Sequence, residues 1–236
     1  MQEKLTELAT AEREKLQQAA DWCVECLARQ GVLHIFDTGH LVSQELIHRA
    51  GGLVAMTPLT FALNVHSPNP FRQQKGDRSD APTVGEIIEL ALRQSTVQPG
   101  DVLFIGSVSG KSELPVELAL RAKAYGVKVI ALTSLEYSSR LESQHPSGKR
   151  LFEVADLVID NHAPYGDAML EVEGLDRAIC PFSGIGAAAA LWAIVAAIAE
   201  GMLARGLTPT FLRSVNRPDG PADVEAARQR YLEKGY

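Results

Sequence analysis

The segment Ser107-Val108-Ser109-Gly110-Lys111-Ser112 lies between an apolar run, residues 101–107 (DVLFIGS), and a stretch with helical patterning, residues 112–125. Three hydroxyls, a glycine that admits close backbone approach and the unpaired N–H groups of a helix start together make a neutral cradle for a phosphate group. The plain alternative is a serine-rich turn in which Ser112 only caps the helix, a role worth about 1 kcal/mol. Gly110-Lys111-Ser112 reads like the end of a nucleotide-binding loop, G-x-x-x-x-G-K-[ST]. That pattern needs its first glycine where Ile105 stands, and Gly106 leaves the loop one residue short. Nucleotide hydrolysis therefore ranks low.

Two further loops carry groups able to move protons. Asp37-Thr38-Gly39-His40-Leu41-Val42-Ser43 follows an apolar run, lacks the G-x-G-x-x-G of dinucleotide sites, and brings His40, Ser43 and Glu45 to a helix start. Asp160 to Asp167 (DNHAPYGD) is dense in polar groups and holds His162 and Asp167. Its plain reading is a turn built by Asn, Pro, Gly and Asp. His145 stands before a proline, where capping the turn is the competing role, and Glu45 has Arg49 four residues on as an ion-pair partner. His34 and His48 read as structural. His40, Glu45, His48 and His66 show no compact ligand spacing such as H-E-x-x-H, so neither metal nor cofactor is expected.

These loops need elements to hold them. Apolar runs at residues 32–37, 53–56, 101–107, 127–133 and 156–160 alternate with helical patterns, and the runs lack polar alternation. Such strands form a parallel sheet covered on both faces: α/β, a three-layer α/β/α sandwich with a five-stranded parallel sheet of flavodoxin-like type. Leu5, Leu8, Leu16, Ala19, Ala20, Val24 and Leu27 fall at helical spacing, which predicts one long amphipathic helix over residues 3–30. Residues 66–82 carry Pro68, Pro70 and Pro82 among charges and read as an excursion loop. Ser183 is placed to cap a long helix running to about residue 205, and residues 206–236 form a C-terminal segment with a last short helix.

Composition narrows the partners. A length of 236 residues suits one substantial α/β domain, 1–236. The formal charge of -6 argues against a non-specific grip on nucleic acid or anionic lipid, so a phosphate ligand must be held locally. Three cysteines and a charged amphipathic start fit a cytoplasmic protein without disulfides. The C-x-x-C pair, Cys23 and Cys26, sits inside a helical pattern and reads as two buried thiols. Residues 184–199 are apolar but short for a bilayer span and half alanine, so no membrane partner is expected.

The pattern S-x-S-G-x-[ST] after a buried strand, followed by a helix, Gly126 and a strand ending at Thr133, resembles the sugar-isomerase (SIS) domain. Thr38 to Ser43 looks like that domain's first glycine-rich turn, with Leu41 in place of the usual second glycine. A closer resemblance is to SIS proteins related to phosphoheptose isomerases. It rests on T-G-H (38–40), H-R-A-G-G (48–52), T-S-L-E-Y-S (133–138), H-P-S-G-K-R-L (145–151), G-D-A (166–168) and S-V-N-R-P-D-G (214–220) taken together. The resemblance implies a phosphorylated sugar as ligand, its phosphate on Ser107, Ser109, Gly110, Lys111 and Ser112, with Ser43, Thr133 and Asp167 nearby. It implies an aldose–ketose isomerase using Glu45, His40, His162 or His145 for proton transfer. A non-catalytic phosphosugar sensor and a lyase acting on a phosphorylated amino-sugar ether are the alternatives. SIS domains commonly pair, which implies a homodimer or a dimer of dimers whose contacts cover the N-terminal dimerisation helix (1–30) and residues 184–199.

Overall fold

A computed structural model describes residues 1–39, 43–62, 64, 66, 71 and 81–236, with no description of the Ser43 and Gln44 side chains. In chain order the elements are α1 (Gln2–Ala11), α2 (Arg13–Ala28), β1 (Leu33–Asp37), α3 (Ser43–Leu46), β2 (Met56–Pro58), α4 (Val84–Gln94), β3 (Val102–Gly106), α5 (Glu113–Ala124), β4 (Lys128–Thr133), α6 (Leu135–Ser139), α7 (Leu151–Val154), β5 (Leu157–Asp160), β6 (Ala168–Leu170), β7 (Ile179–Pro181), α8 (Ser183–Ala204) and α9 (Gly220–Lys234). β1 to β5 form one parallel sheet in the order β2-β1-β3-β4-β5.

The apolar runs become central strands because both their faces find cover. Leu33, Ile35, Val102, Phe104, Ile130 and Leu132 point into one cluster with residues of α1, α2 and α8. Phe36, Leu103, Ile105, Val129 and Ala131 point into the other, against α4, α5 and α7. Successive residues on a strand face opposite ways, so this is the expected three-layer sandwich. Each fully buried Leu or Ile contributes about 1.5–3 kcal/mol, which makes β3, buried at every position, a firm support for the loop that follows it.

Several details depart from the sequence expectations. The long first helix is two, α1 and α2, because Glu12 breaks it: this buried residue turns its carboxylate to the Asp160 backbone N–H at 3.1 Å and to Lys15 at 3.0 Å. The second strand starts at Met56 instead of Leu53, since Leu53 bridges Phe211 in antiparallel fashion. Residues 168–181 form an antiparallel hairpin, β6 with β7, in a stretch where no strand was expected. Ser183 does not cap α8: it is the first helical residue, and its hydroxyl donates to Asp167. Asp167 accepts the N–H groups of Phe182 (3.0 Å) and Ser183 (2.7 Å) and the Ser183 hydroxyl (2.7 Å).

α8 is long and apolar enough to cross a bilayer by length and composition, yet Ala187, Ala190, Leu191, Ile194, Val195, Ile198 and Met202 are built into the core. Cys23 and Cys26 are buried; burial pushes the Cys23 thiol well up, and burial with the nearby Asp101 charge pushes Cys26 up to about 11. Both therefore stay protonated at neutral pH. Of the 66–82 excursion, only His66, Phe71, Ala81 and Pro82 are among the described residues.

Candidate functional site

The chain leaves β1 toward β2 on one side, then returns to β3 on the other side of β1 and continues to β4 and β5. The carboxyl ends of β1 and β3 thus flank a crevice where strand order reverses, the place where open parallel sheets bind ligands. Asp37 pairs with Gly106 across it, and Thr38 N–H donates to Gly106 O at 3.1 Å. Asp37 and Thr38 therefore lie beside the start of the 107–112 loop.

The 107–112 loop is held by its carbonyls. Val108 O accepts Ser134 N–H at 3.1 Å and the Thr133 hydroxyl at 3.0 Å. Gly110 O accepts Leu151 N–H at 2.8 Å, and Lys111 O accepts Gln144 N–H at 2.9 Å. In a trans peptide the N–H of the next residue points opposite to each carbonyl. The N–H groups of Ser109, Lys111 and Ser112 are consequently turned away from the 133–151 segment, and among the described residues none of the three has an acceptor. Ser112 sits at the start of α5 without making the capping bond, so its hydroxyl is not spent on the helix. Ser107 is buried with its N–H on Leu132 O, while Ser109, Lys111 and Ser112 are half-buried.

Gly110 has φ 56, a conformation that favours glycine, and a Cβ there would meet Ser138 Oγ, Leu151 Cβ and Thr133 Oγ1 at 3.0, 3.2 and 3.3 Å. The turn packs onto its supports as tightly as a side-chain-free residue allows. A local charge is not needed to hold an anion here, because three preorganised N–H groups and nearby hydroxyls supply the donors.

The structure divides the expected acid–base residues. Glu45 stands on α3, on the β1 side of the crevice, paired with Arg49. His40 lies outside the described residues, and Ser43 opens α3. His162 follows β5, two strand spacings from β3, or about 10 Å. Its backbone has φ 56, and its ring lies between Glu7 (3.3 Å) and Glu12 (3.6 Å), with Nε2 buried and lacking a hydrogen bond among the described residues. Hydrogen bonding and the Lys4 charge, with a smaller part from His162, hold the Glu7 carboxyl below its ordinary range. Both oxygens of Asp167 are occupied by the start of α8.

His145 is buried, with Nε2 2.6 Å from Glu117 Oε2 and Nδ1 2.7 Å from Ser147 Oγ. Sequence reading missed Ser138, Gln144 and Leu151, which shape and hold the loop. Ser138 and Leu151 were signalled only as the ends of the T-S-L-E-Y-S (133–138) and H-P-S-G-K-R-L (145–151) motifs, and Gln144 had no signal. Among the described residues no three His, Cys, Asp or Glu side chains gather as a metal-binding group.

Comparison with known proteins agrees with this architecture. A UPF0309 protein of Shouchella clausii (strain KSM-K16) is 36% identical over 221 residues, covering 92% of this chain and 88% of its own length. A UPF0309 protein of Caldanaerobacter subterraneus subsp. tengcongensis is 35% identical over 235 residues, covering 98% and 91%. A phosphoheptose isomerase from Neisseria gonorrhoeae shares the fold, with a TM-score of 0.50 at 18% identity over 83% of this chain and 89% of that one. The SIS domain profile matches residues 1–134, the stretch that includes β1, β3, β4 and the loop between β3 and α5, and with it the chain belongs to the SIS-domain family.

Proposed function

We propose that the chain binds the phosphate of a phosphorylated sugar on residues 107–112 and interconverts its aldose and ketose forms. One observation carries this reading: the Ser109, Lys111 and Ser112 N–H groups face away from the segment that holds their loop, beside a strand-order reversal, with hydroxyls nearby. Isomerisation then requires a base that takes the proton from the carbon beside the carbonyl and returns it to the neighbouring carbon. It also requires donors that steady the enediolate oxygen. Glu45 is the favoured base, because its helix follows β1 at the crevice; His40, five residues earlier in the sequence, is the companion acid, and His162 is the alternative. Ser43, Thr133 and Asp167 line the surroundings in this reading, Thr133 and Asp167 by holding loops in place.

A homodimer accompanies the proposal, since the outward side of α8 leaves Ile185, Ala193, Ala196 and Leu203 exposed. The setting is cytoplasmic, where phosphorylated sugars are made and used. A pure phosphosugar sensor uses the same cradle without Glu45, and an etherase uses both on a different substrate.

NMR of a sugar-phosphate panel incubated with the protein in deuterated water separates them. Ketose formation, or deuterium entering beside the carbonyl, supports the isomerase; saturable binding with unchanged sugar refutes turnover. Ser109→Asp places a negative charge in the cradle and is expected to abolish binding while the fold is kept. Unchanged affinity in that variant sinks the site.

A further inference from the structure

Besides its own internal bonds, such as that from the Ser143 hydroxyl to Lys149 O at 2.6 Å, the turn that holds the cradle is gripped by a carboxylate of α5. His145 is 9% exposed, and its Nδ1 accepts the Ser147 backbone N–H at 3.1 Å. That bond assigns the lone pair to Nδ1 and the proton to Nε2, so the ring donates to Glu117 Oε2 at 2.6 Å. The other Glu117 oxygen accepts Arg121 Nε at 2.7 Å, and Arg121 reaches on to Glu89 of α4 at 3.2 Å. Burial works to raise the Glu117 carboxyl, and the His145 and Arg121 hydrogen bonds outweigh it, leaving the group below its ordinary range.

These contacts close a ring. The cradle loop leads into α5; Glu117, one turn into α5, holds His145; the flanking Gln144 and Leu151 N–H groups hold the Lys111 and Gly110 carbonyls. Those carbonyls fix which way the cradle N–H groups face. The polar atoms of His145 and Glu117 are taken up by each other, by Ser147 and by Arg121.

We propose that Glu117 is a positioning residue: through His145 it keeps the 144–151 turn on the loop carbonyls and so keeps the Ser109, Lys111 and Ser112 N–H groups aimed at the anion. This rests on the phosphate-cradle reading. It goes beyond it by giving a role to a carboxylate outside the site and by recasting His145 as a holding group.

The test follows backbone amide resonances of residues 109–112 while inorganic phosphate, then a sugar phosphate, is added. In the unaltered protein these amides shift saturably. Glu117→Ala leaves Nε2–H without its acceptor and is expected to weaken phosphate binding about tenfold or more, as misaimed groups do. Glu117→Gln keeps an oxygen for Nε2–H and is expected to stay within about twofold of the unaltered protein. His145→Phe keeps a planar aromatic ring, somewhat larger than imidazole, removes both nitrogens, and reproduces the loss should Glu117→Ala fold poorly. Val116→Ala, in the core beside Glu117 but outside the ring, lowers the melting temperature without changing affinity. Hydrogen exchange at Gln144 and Leu151 speeds up in Glu117→Ala and not in Val116→Ala.

Glu117→Ala and His145→Phe binding phosphate as the unaltered protein does would overturn the positioning role while leaving the cradle standing. Equal loss in Val116→Ala, or failure of Gln to rescue, overturns it too. If the unaltered protein shows no shift at 109–112 with either ligand, the cradle itself is refuted and this role falls with it.

Discussion

Gly110→Ala probes the cradle at its tightest point. Gly110 has φ 56, where an alanine costs about 1–2 kcal/mol of backbone strain. The new methyl would also stand 3.0 Å from Ser138 Oγ, 3.2 Å from Leu151 Cβ and 3.3 Å from Thr133 Oγ1. Overfilling a packed site costs about 1–3 kcal/mol, so the sum is about 3 kcal/mol. For a chain of this size that lowers the melting temperature by roughly 6–12 °C. Relief of the crowding requires the loop to lift off Leu151 and Thr133, which turns its N–H groups and weakens phosphate binding more than the stability loss alone explains. Ser138 sharpens the test. Its hydroxyl is fully buried and has no hydrogen-bond partner among the described residues, so Ser138→Ala removes an unsatisfied group worth about 1–3 kcal/mol and the nearest contact at once. The double variant is therefore expected to recover at least about 1 kcal/mol relative to Gly110→Ala, a coupling that thermal unfolding by circular dichroism measures directly. If Gly110→Ala melts like the unaltered protein and binds phosphate as well, the loop is not pinned as described and the account of the cradle is wrong.

Further outcomes follow from other contacts. Asp101 accepts His34 Nε2 at 3.0 Å, Val32 N–H at 2.9 Å and Gln98 N–H at 2.8 Å; burial would raise its carboxyl, but these bonds prevail and lower it. Its stabilisation is thus complete above about pH 4 and lost as acid carries the pH through the lower folded value, so urea unfolding of Asp101→Asn shows a shallower acid limb and about 2–3 kcal/mol less stability at neutral pH. Asp167→Ala strips three hydrogen bonds from the start of α8 and costs about 2–3 kcal/mol in urea; a loss under about 0.5 kcal/mol contradicts the capping role. Glu12→Ala leaves the Asp160 N–H without its acceptor and costs about 2 kcal/mol, whereas Glu12→Gln, which keeps an oxygen there, costs less.

What was legible in the sequence is what burial dictates. β1, β3, β4 and β5 read as strands because residues such as Leu103 and Phe104 face opposite layers and are both apolar. The 107–112 turn was legible because its hydroxyls and glycine stand between a fully apolar run and a helical pattern. The β6–β7 hairpin was not: Leu170 and Ile179 are exposed, so no burial pattern marks it. The clamp was not legible either, because the bonds from Leu151 N–H to Gly110 O and from Gln144 N–H to Lys111 O join backbone to backbone, and any residue but proline could donate them. His145 had two sequence readings, proton transfer and capping its turn; its Nδ1 accepts Ser147 N–H within that turn, and its partner Glu117, 28 positions away on another element, had no sequence signal.

The break at Glu12 shows how a local pattern yields to a distant need, and it bears on the choice of base. Leu8, Glu12, Leu16, Ala19, Cys23 and Leu27 share one inward stripe, so helical spacing alone carries a carboxylate into the core. A buried charge persists only with partners, and Glu12 finds them at the β5 edge in Asp160 N–H and in Lys15, with His162 close by. His162 is thereby tied to the helical layer of α1 and α2, in a left-handed backbone conformation held by its surroundings. Among the described residues Glu45 has no such tether: it pairs with Arg49, four residues along the same chain segment, and both side chains are substantially exposed. An exposed pair of this kind is worth at most about 1 kcal/mol and is easily exchanged for a ligand. A group that must leave its partner to reach a substrate is better sought at Glu45, on the helix that follows β1, than at His162, which follows β5 and is fastened to α1 and α2.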